Sequence, residues 1–300
     1  MPYDDETAFF RDELDVDILM HREAHFSGSF SAMLDYYKKG GKGVQGHFPL
    51  GRIQDLARYE ESTECNLAPI LLSGPEMEKL GRVKEAYDQL RELFESTQDR
   101  KSLRLIGDLI LAEETEPAKE MQEIIKQGKA IVPLLIETLR QQTLYDPLFP
   151  GYGLSPMLIA KCLAEIGDKR AIIFLFEQLG HSSEGEEDEI LSALKVLGKP
   201  ACDFLLHVVS GKPINADNEQ AALALISFKE AKVSKKALSL LSSSETWDHP
   251  VFVSYLLLAC EALPEEMRVS FQELKNMPKA KAFTQDIEVY CQEWGWDSLD

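Results

Sequence analysis

Residues 160–172 read AKCLAEIGDKRAI, and residues 192–201 read SALKVLGKPA. Shifted by 31 positions the two stretches superimpose, and a third copy follows them. Cys162 maps to Ala193 and Ala224, Leu163 to Leu194 and Leu225, and Ile166 to Leu197 and Phe228. Small residues return where two helices must approach, and large apolar ones return where they interlock. Gly167 maps to Gly198, a residue free to take the positive φ that a tight turn after a helix requires. The third equivalent is Lys229, which breaks the pattern and predicts a different ending for the third helix. After each turn comes a second apolar-periodic stretch, AIIFLFEQL at 171–179, ACDFLLHVV at 201–209 and VSKKALSLL at 233–241. Each unit between 154 and 245 therefore reads as helix, turn, helix, with apolar stripes too narrow to bury without a neighbouring unit.

The array extends in both directions. Upstream, a first helix near 101–114 and a second at 131–139 (IVPLLIETL) flank Gly128-Lys129-Ala130, an echo of Gly198-Lys199-Pro200-Ala201. Downstream, PVFVSYLLLACEAL at 250–263 and EEMRVSFQELKNM at 265–277 form a further pair. That makes about five units, above the roughly three a stable stack needs. The remainder, 278–300, holds two of the three tryptophans and reads as a cap over the last unit's open face.

The repeats at 160–172 and 192–201 resemble HEAT repeats of the short type found in phycobilin lyases and many bacterial proteins. The resemblance covers about 101–277 and implies an all-α fold, an α-solenoid of about five HEAT-like helix pairs. It says little about function, because the same repeats serve scaffolds, lyases, hydroxylases and glycosylases. The iron hydroxylases among them build their site from His-Glu dinucleotides. Here every histidine is followed by another residue: Arg22, Phe26, Phe48, Ser182, Val208 or Pro250.

Residues 1–100 show no such period and read as a helical N-terminal domain. Ser73-Gly74-Pro75-Glu76 matches a capping box with Pro just inside the helix start, and Met77, Leu80, Val83, Tyr87, Leu90 and Phe94 keep to one face. Further helices are expected near Ser31 to Lys38 and Leu50 to Glu61.

The 300 residues carry a net charge of −19, with the acidic surplus in every third of the chain. A nucleic-acid face would have to be built against that field. Lys229, Lys232, Lys235 and Lys236 form the densest basic cluster and read as a solvated face. The five cysteines are far apart, without a C-x-x-C pair, which supports neither a disulfide framework nor a thiolate zinc site. Cys162 and Cys202 fall on small core positions of the repeat and read as packing residues. MPYDDETAFF lacks the basic start of a secretory signal, and the longest apolar run, Val251 to Cys260, is about half a membrane span. The expectation is a cytoplasmic protein without a membrane or nucleic-acid partner.

Three local features invite a chemical reading. His21 and His25 stand one helical turn apart, the spacing two imidazoles need to share a metal, with Asp17 a turn earlier. Glu23 points elsewhere, so this is not a zinc-protease motif. The competing reading is a buried His pair held by aspartates. Lys38-Lys39-Gly40-Gly41-Lys42-Gly43 lacks the spacing and the preceding strand of a phosphate loop and reads as a cationic loop. Third, QTLYDPLFPGYGLS at 142–155 lengthens one inter-unit connection by about ten residues relative to its counterparts. Its Tyr145, Phe149 and Tyr152, stiffened by Pro147 and Pro150, are the candidate partner-binding residues. The alternative is a loop that folds back to seal two units.

The functional expectation is a non-catalytic protein- or peptide-binding scaffold, without a cofactor, using the solenoid surface and the 142–155 loop. The alternatives are a lyase-class enzyme, by the resemblance alone, and a weak metal site at His21 and His25.

Overall fold

The computed structural model describes residues 12–40, 48–96, 100–112, 117–180 and 184–296, the side chains of 184–186 excepted. MPYDDETAFF and the Gly41-Lys42-Gly43 part of the glycine-bearing loop lie outside the described residues. Among the described residues the chain is all-α, with no strand. No helix there is long and apolar enough to cross a membrane. The chain forms two compact units, 1–159 and 160–300.

Unit 1 contains α1 (Glu13–His25), α2 (Phe30–Lys38), α3 (Leu50–Thr63), α4 (Ala68–Leu71), α5 (Gly74–Glu95), α6 (Lys101–Ile110), α7 (Ala118–Ile125) and α8 (Val132–Leu139). The expected capping box starts α5: the Glu76 carboxylate accepts the Ser73 backbone N–H at 2.8 Å and the Ser73 hydroxyl. α7 was not anticipated from the sequence. α1 packs on α4 and α5, α2 on α3, α5 on α6, and α6 on α7. Ile18, Leu19, Met33, Ile53, Leu56, Leu80 and Val83 form the core. The apolar face of α5 is buried only at Leu80 and Val83, because Met77 and Phe94 at its two ends are exposed.

α9 (Ser155–Ile166) crosses the boundary residue. Unit 2 continues with α10 (Ala171–Leu179), α11 (Glu184–Val196), α12 (Lys199–Val208), α13 (Ala216–Ile226), α14 (Ala231–Leu241), α15 (Pro250–Leu258), α16 (Glu265–Glu273) and α17 (Thr284–Glu293). α10 meets α11, α11 meets α12, α12 meets α13 and α14 meets α15, and alternate helices also meet, α11 with α13 and α13 with α15. Leu163, Leu194 and Leu225 are all buried, as are Cys162, Ala193 and Ala224. At these two positions the 31-residue offset is an equivalence of burial, whereas Ile166 and Phe228 are half-buried where Leu197 is buried.

The lysine that breaks the glycine pattern keeps the sign of φ. Gly167 has φ +69°, Gly198 +66° and Lys229 +47°. At the third position a non-glycine residue bears the strain of a positive φ, three residues beyond the end of α13. At Gly198 φ is paired with ψ −137°, close to a region that glycine alone occupies comfortably. An added Cβ there meets no atom closer than 3.8 Å, so a substitution is opposed by backbone strain and not by a clash. Gly198→Ala should therefore cost about 1–3 kcal/mol. Lys229→Gly should be neutral or stabilise by up to about 1 kcal/mol, since relief of the left-handed strain is offset by loss of an exposed ion pair. Urea denaturation of the two variants checks the pair, and equal and opposite small effects of the reverse sign would refute the strain account.

That ion pair belongs to a series whose partners lie about one repeat apart. Lys229 reaches Glu261 at 2.9 Å, Lys232 reaches Asp203 at 3.2 Å and Lys279 reaches Asp248 at 2.6 Å. Lys212 pairs with Glu245 in the same way. Of the basic cluster read from sequence as a solvated face, Lys229 and Lys235 are exposed and Lys232 and Lys236 half-buried, and Lys229 and Lys232 each hold an acid of an adjoining helix pair. Such pairs contribute little stability singly. Ser234 makes a buried link of the same kind: its hydroxyl donates to the Ala259 carbonyl at 2.7 Å and accepts the Ala262 N–H at 3.1 Å. It thereby satisfies backbone groups left open where α15 ends without a glycine. Beyond α16, Trp296 is 2% exposed against Phe271 and beneath the Arg268 guanidinium, which lies 5.1 Å from its ring. Chain end and last helix pair share one aromatic cluster.

Candidate functional site

α1 carries the chemistry of unit 1, and it does so with charged residues on its buried side. Asp15, Ile18, Leu19 and Arg22 recur at helical spacing and form one stripe, and all four are inaccessible. Asp15 accepts two hydrogen bonds from Arg52 of α3, both at 2.6 Å. Arg22 donates to Glu60 of α3 at 2.7 Å, to Glu23 at 2.7 Å and to Asn66 at 3.0 Å, and its guanidinium lies 4.4 Å from the centre of the Phe30 ring. Glu60 and Asn66 also accept the Leu67 and Ala68 backbone N–H groups, at 2.5 and 2.9 Å. One buried guanidinium therefore ties α1 to the end of α3 and to the turn leading into α4.

His21 and His25 lie side by side, ring centres 5.4 Å apart. His21 meets the edge of Phe48 at 4.9 Å. His25 Nδ1 is 3.1 Å from the Tyr87 hydroxyl of α5, and its ring faces Tyr152 at 5.0 Å. His25 Nε2 is buried without a hydrogen-bond partner. Burial, and secondarily the charge of His21, push the His25 imidazole down to about 3. It is neutral at pH 7 and far too weak a base for proton abstraction there, since an effective general base titrates near the working pH.

Of the aspartates in the competing sequence reading, Asp15 is engaged by Arg52 and Asp17 is exposed, while His25 is held by Tyr87. Among the described residues no group of three or more His, Cys, Asp or Glu side chains converges to hold a metal ion. His21 and His25 are together, and Asp17 does not complete a three-ligand group with them.

The 142–155 segment belongs to the interior of unit 1. Phe149 is 4% exposed and, with Leu148, completes the core built by α1 to α5. Tyr152 is 7% exposed, with φ +52° between Gly151 at +88° and Gly153 at +77°. Three consecutive residues on the left-handed side press the Tyr152 ring onto His25. Tyr145 donates its hydroxyl to the Leu139 carbonyl at 2.9 Å and so satisfies the last turn of α8. Lys79 of α5 pairs with Asp146 at 2.6 Å. The three aromatic residues expected to offer a partner surface each have an internal role. The loop's proline-stiffened shape serves packing within unit 1, where its contacts reach α1 and α5.

Compared with protein-family models, with curated protein sequences and with solved structures, the chain matches none. The site must be read from its own geometry.

Cys162 and Cys202 are fully buried, as their repeat positions suggested, and burial raises both thiols, Cys162 to about 12. Neither provides a thiolate at neutral pH. Beside Tyr87 a cleft of about 500 Å³ opens between Glu23, Ser27, Lys84, Asp88 and Arg91. Its acids and bases offset one another, and it favours no ligand charge. Sequence reasoning missed Tyr87 as the partner of His25 and Arg22 as the buried cation. The signal for Tyr87 was a hydroxyl-bearing ring on the apolar face of α5, since a buried Tyr seeks a partner for its hydroxyl. The signal for Arg22 was a charge in register with Ile18 and Leu19.

Proposed function

We propose that this chain is a non-catalytic binding protein, in which HEAT-like helix pairs of unit 2 stack as an α-solenoid and present their surface to a protein or peptide with a basic face. The observation that carries this is the return, at 31-residue intervals, of a buried leucine and a residue of positive φ at 163 and 167, 194 and 198, and 225 and 229. Repetition of a packing unit extends a surface without building a deep pocket, which suits recognition of an extended partner. The chain's net charge of −19 favours a basic partner through long-range steering. The neutral His25 and the raised thiols give no support to the lyase alternative. In this reading the 142–155 rings are not the contact surface, because two of them are spent on the core.

The test begins with affinity isolation at physiological salt and continues with reconstitution of any captured polypeptide from purified components. Expected are a one-to-one complex, weakening as salt rises, and a loss of affinity of about ten-fold or more when the exposed Glu177, Asp188 and Asp217 are together reversed to lysine. A reconstituted complex indifferent to both salt and charge reversal would refute the acidic-surface reading. Catalytic turnover by the purified chain would refute the non-catalytic one.

A further inference from the structure

Unit 1 holds a second concavity, of about 270 Å³, between α5, α6 and the 142–155 segment. Leu90 and Leu93 of α5, Ile106 and Ile110 of α6, and Leu144 and Phe149 form its walls and floor. Among the described residues no charged side chain lines it. Thr138 also reaches it, but its hydroxyl is already donated to the Leu134 carbonyl at 2.8 Å, so it offers no free donor. The neutral polar groups left are Gln89, Gln141 and Thr143, all exposed at the mouth. Leu103, 40% exposed, stands at the mouth as well.

The shape depends on residues that are poor choices for plain helix stability. Gly107 sits inside α6, where glycine is less favourable than alanine by about 1 kcal/mol. A Cβ there would come within 3.1 Å of the Phe94 ring and 3.4 Å of Leu93. Without the side chain, Phe94 lies close over Gly107, which itself lines the groove. On the other side, the inserted segment supplies Leu144 and Phe149. The groove is thus assembled from an insertion and a glycine that the 31-residue repeat does not contain.

About nine waters fill such a volume at liquid density, and an apolar lining gives them few partners. We propose that this groove is a binding site for a small neutral molecule with an alkyl or isoprenyl chain, the chain lying along Leu90, Leu93, Ile106 and Phe149 and a hydroxyl or carbonyl head held among Gln89, Gln141 and Thr143. An anionic head finds no cation in the lining, and a charge drawn into it would be left without compensation. The inference is independent of the binding surface proposed for unit 2.

The experiment is calorimetric titration of the full chain with n-alkanols from hexan-1-ol to dodecan-1-ol, and with carboxylates of matching length, at pH 7.5. The expected result is one saturable site whose affinity rises about four-fold per methylene and levels off once the groove is filled. Carboxylates should bind at least about ten-fold more weakly. Leu103→Glu, and separately Thr143→Asp on the facing wall, should each reduce alkanol affinity about ten-fold or more without moving the melting temperature, because both positions are exposed. Three outcomes overturn the proposal: no saturable heat, carboxylates binding as tightly as alkanols, or an affinity that climbs with every methylene and ignores both variants. The last would signify adsorption to scattered surface leucines.

Discussion

Lowering the pH from 7 to 5 should remove about 2 kcal/mol of stability from this protein through one imidazole, His25. The sign follows from the direction of its shift. In the unfolded chain a histidine takes up a proton near pH 6.5, whereas in the fold His25 resists protonation to about 3. Its contribution is therefore complete above about pH 6.5 and is lost as the pH falls, at about 1.4 kcal/mol per unit, until the folded form itself titrates. Around the ring stand His21 on the same helix, Tyr87 from α5 and Tyr152 from the loop. The nearest acids of α1 are committed elsewhere, Glu23 to Arg22 and Asp15 to Arg52. No carboxylate is thus positioned to welcome the proton. Carboxylates ordinarily titrate near pH 4, so the interval from 7 to 5 isolates the histidines. Denaturant titrations at pH 7.5, 6 and 5 measure the slope. His25→Gln keeps a neutral group for the Tyr87 hydroxyl and should flatten it. An unchanged slope in that variant would assign the acid sensitivity elsewhere.

Arg22→Ala should be the most damaging single substitution in α1, costing about 3–5 kcal/mol. The guanidinium is wholly inaccessible, and its removal strands Glu60 in a part-buried position after four charge-assisted bonds and an aromatic contact are lost. The damage comes from the partner left behind more than from the bond itself. Replacing both members, Arg22→Met with Glu60→Gln, should recover much of the loss, because the amide still accepts the Leu67 N–H and no uncompensated charge remains. The double variant should depart from additivity by about 1–3 kcal/mol, read from a urea-denaturation cycle. Single effects that merely add would show that Arg22 and Glu60 do not act as a pair.

The two units differ in how far their sequence could be read. In unit 2 the same contacts recur at Leu163, Leu194 and Leu225, so three aligned copies expose which positions are core and where each helix stops. Even there, the conformation of Lys229 was hidden. Residue preference at a left-handed turn is a bias, and the packing of the flanking helices overrides it. Unit 1 has no internal copy to compare. Its decisive contacts join residues far apart, His25 to Tyr87 across 62 positions and Arg22 to Asn66 across 44. Its first helix also conceals its buried face, because Asp15 and Arg22 occupy the stripe that Ile18 and Leu19 share.

The sequence by itself determined the helical class, the 31-residue unit, the burial of its leucines and cysteines, and the capping box of α5. These follow from local propensity and from contacts that repeat between neighbours. Only the tertiary structure decided that Phe149 and Tyr152 face inward, that Tyr87 meets His25, and that Arg22 finds Glu60 and Asn66. An aromatic or charged side chain has the same composition whether it meets water or a partner, and which it meets is set by segments that the chain brings together only on folding.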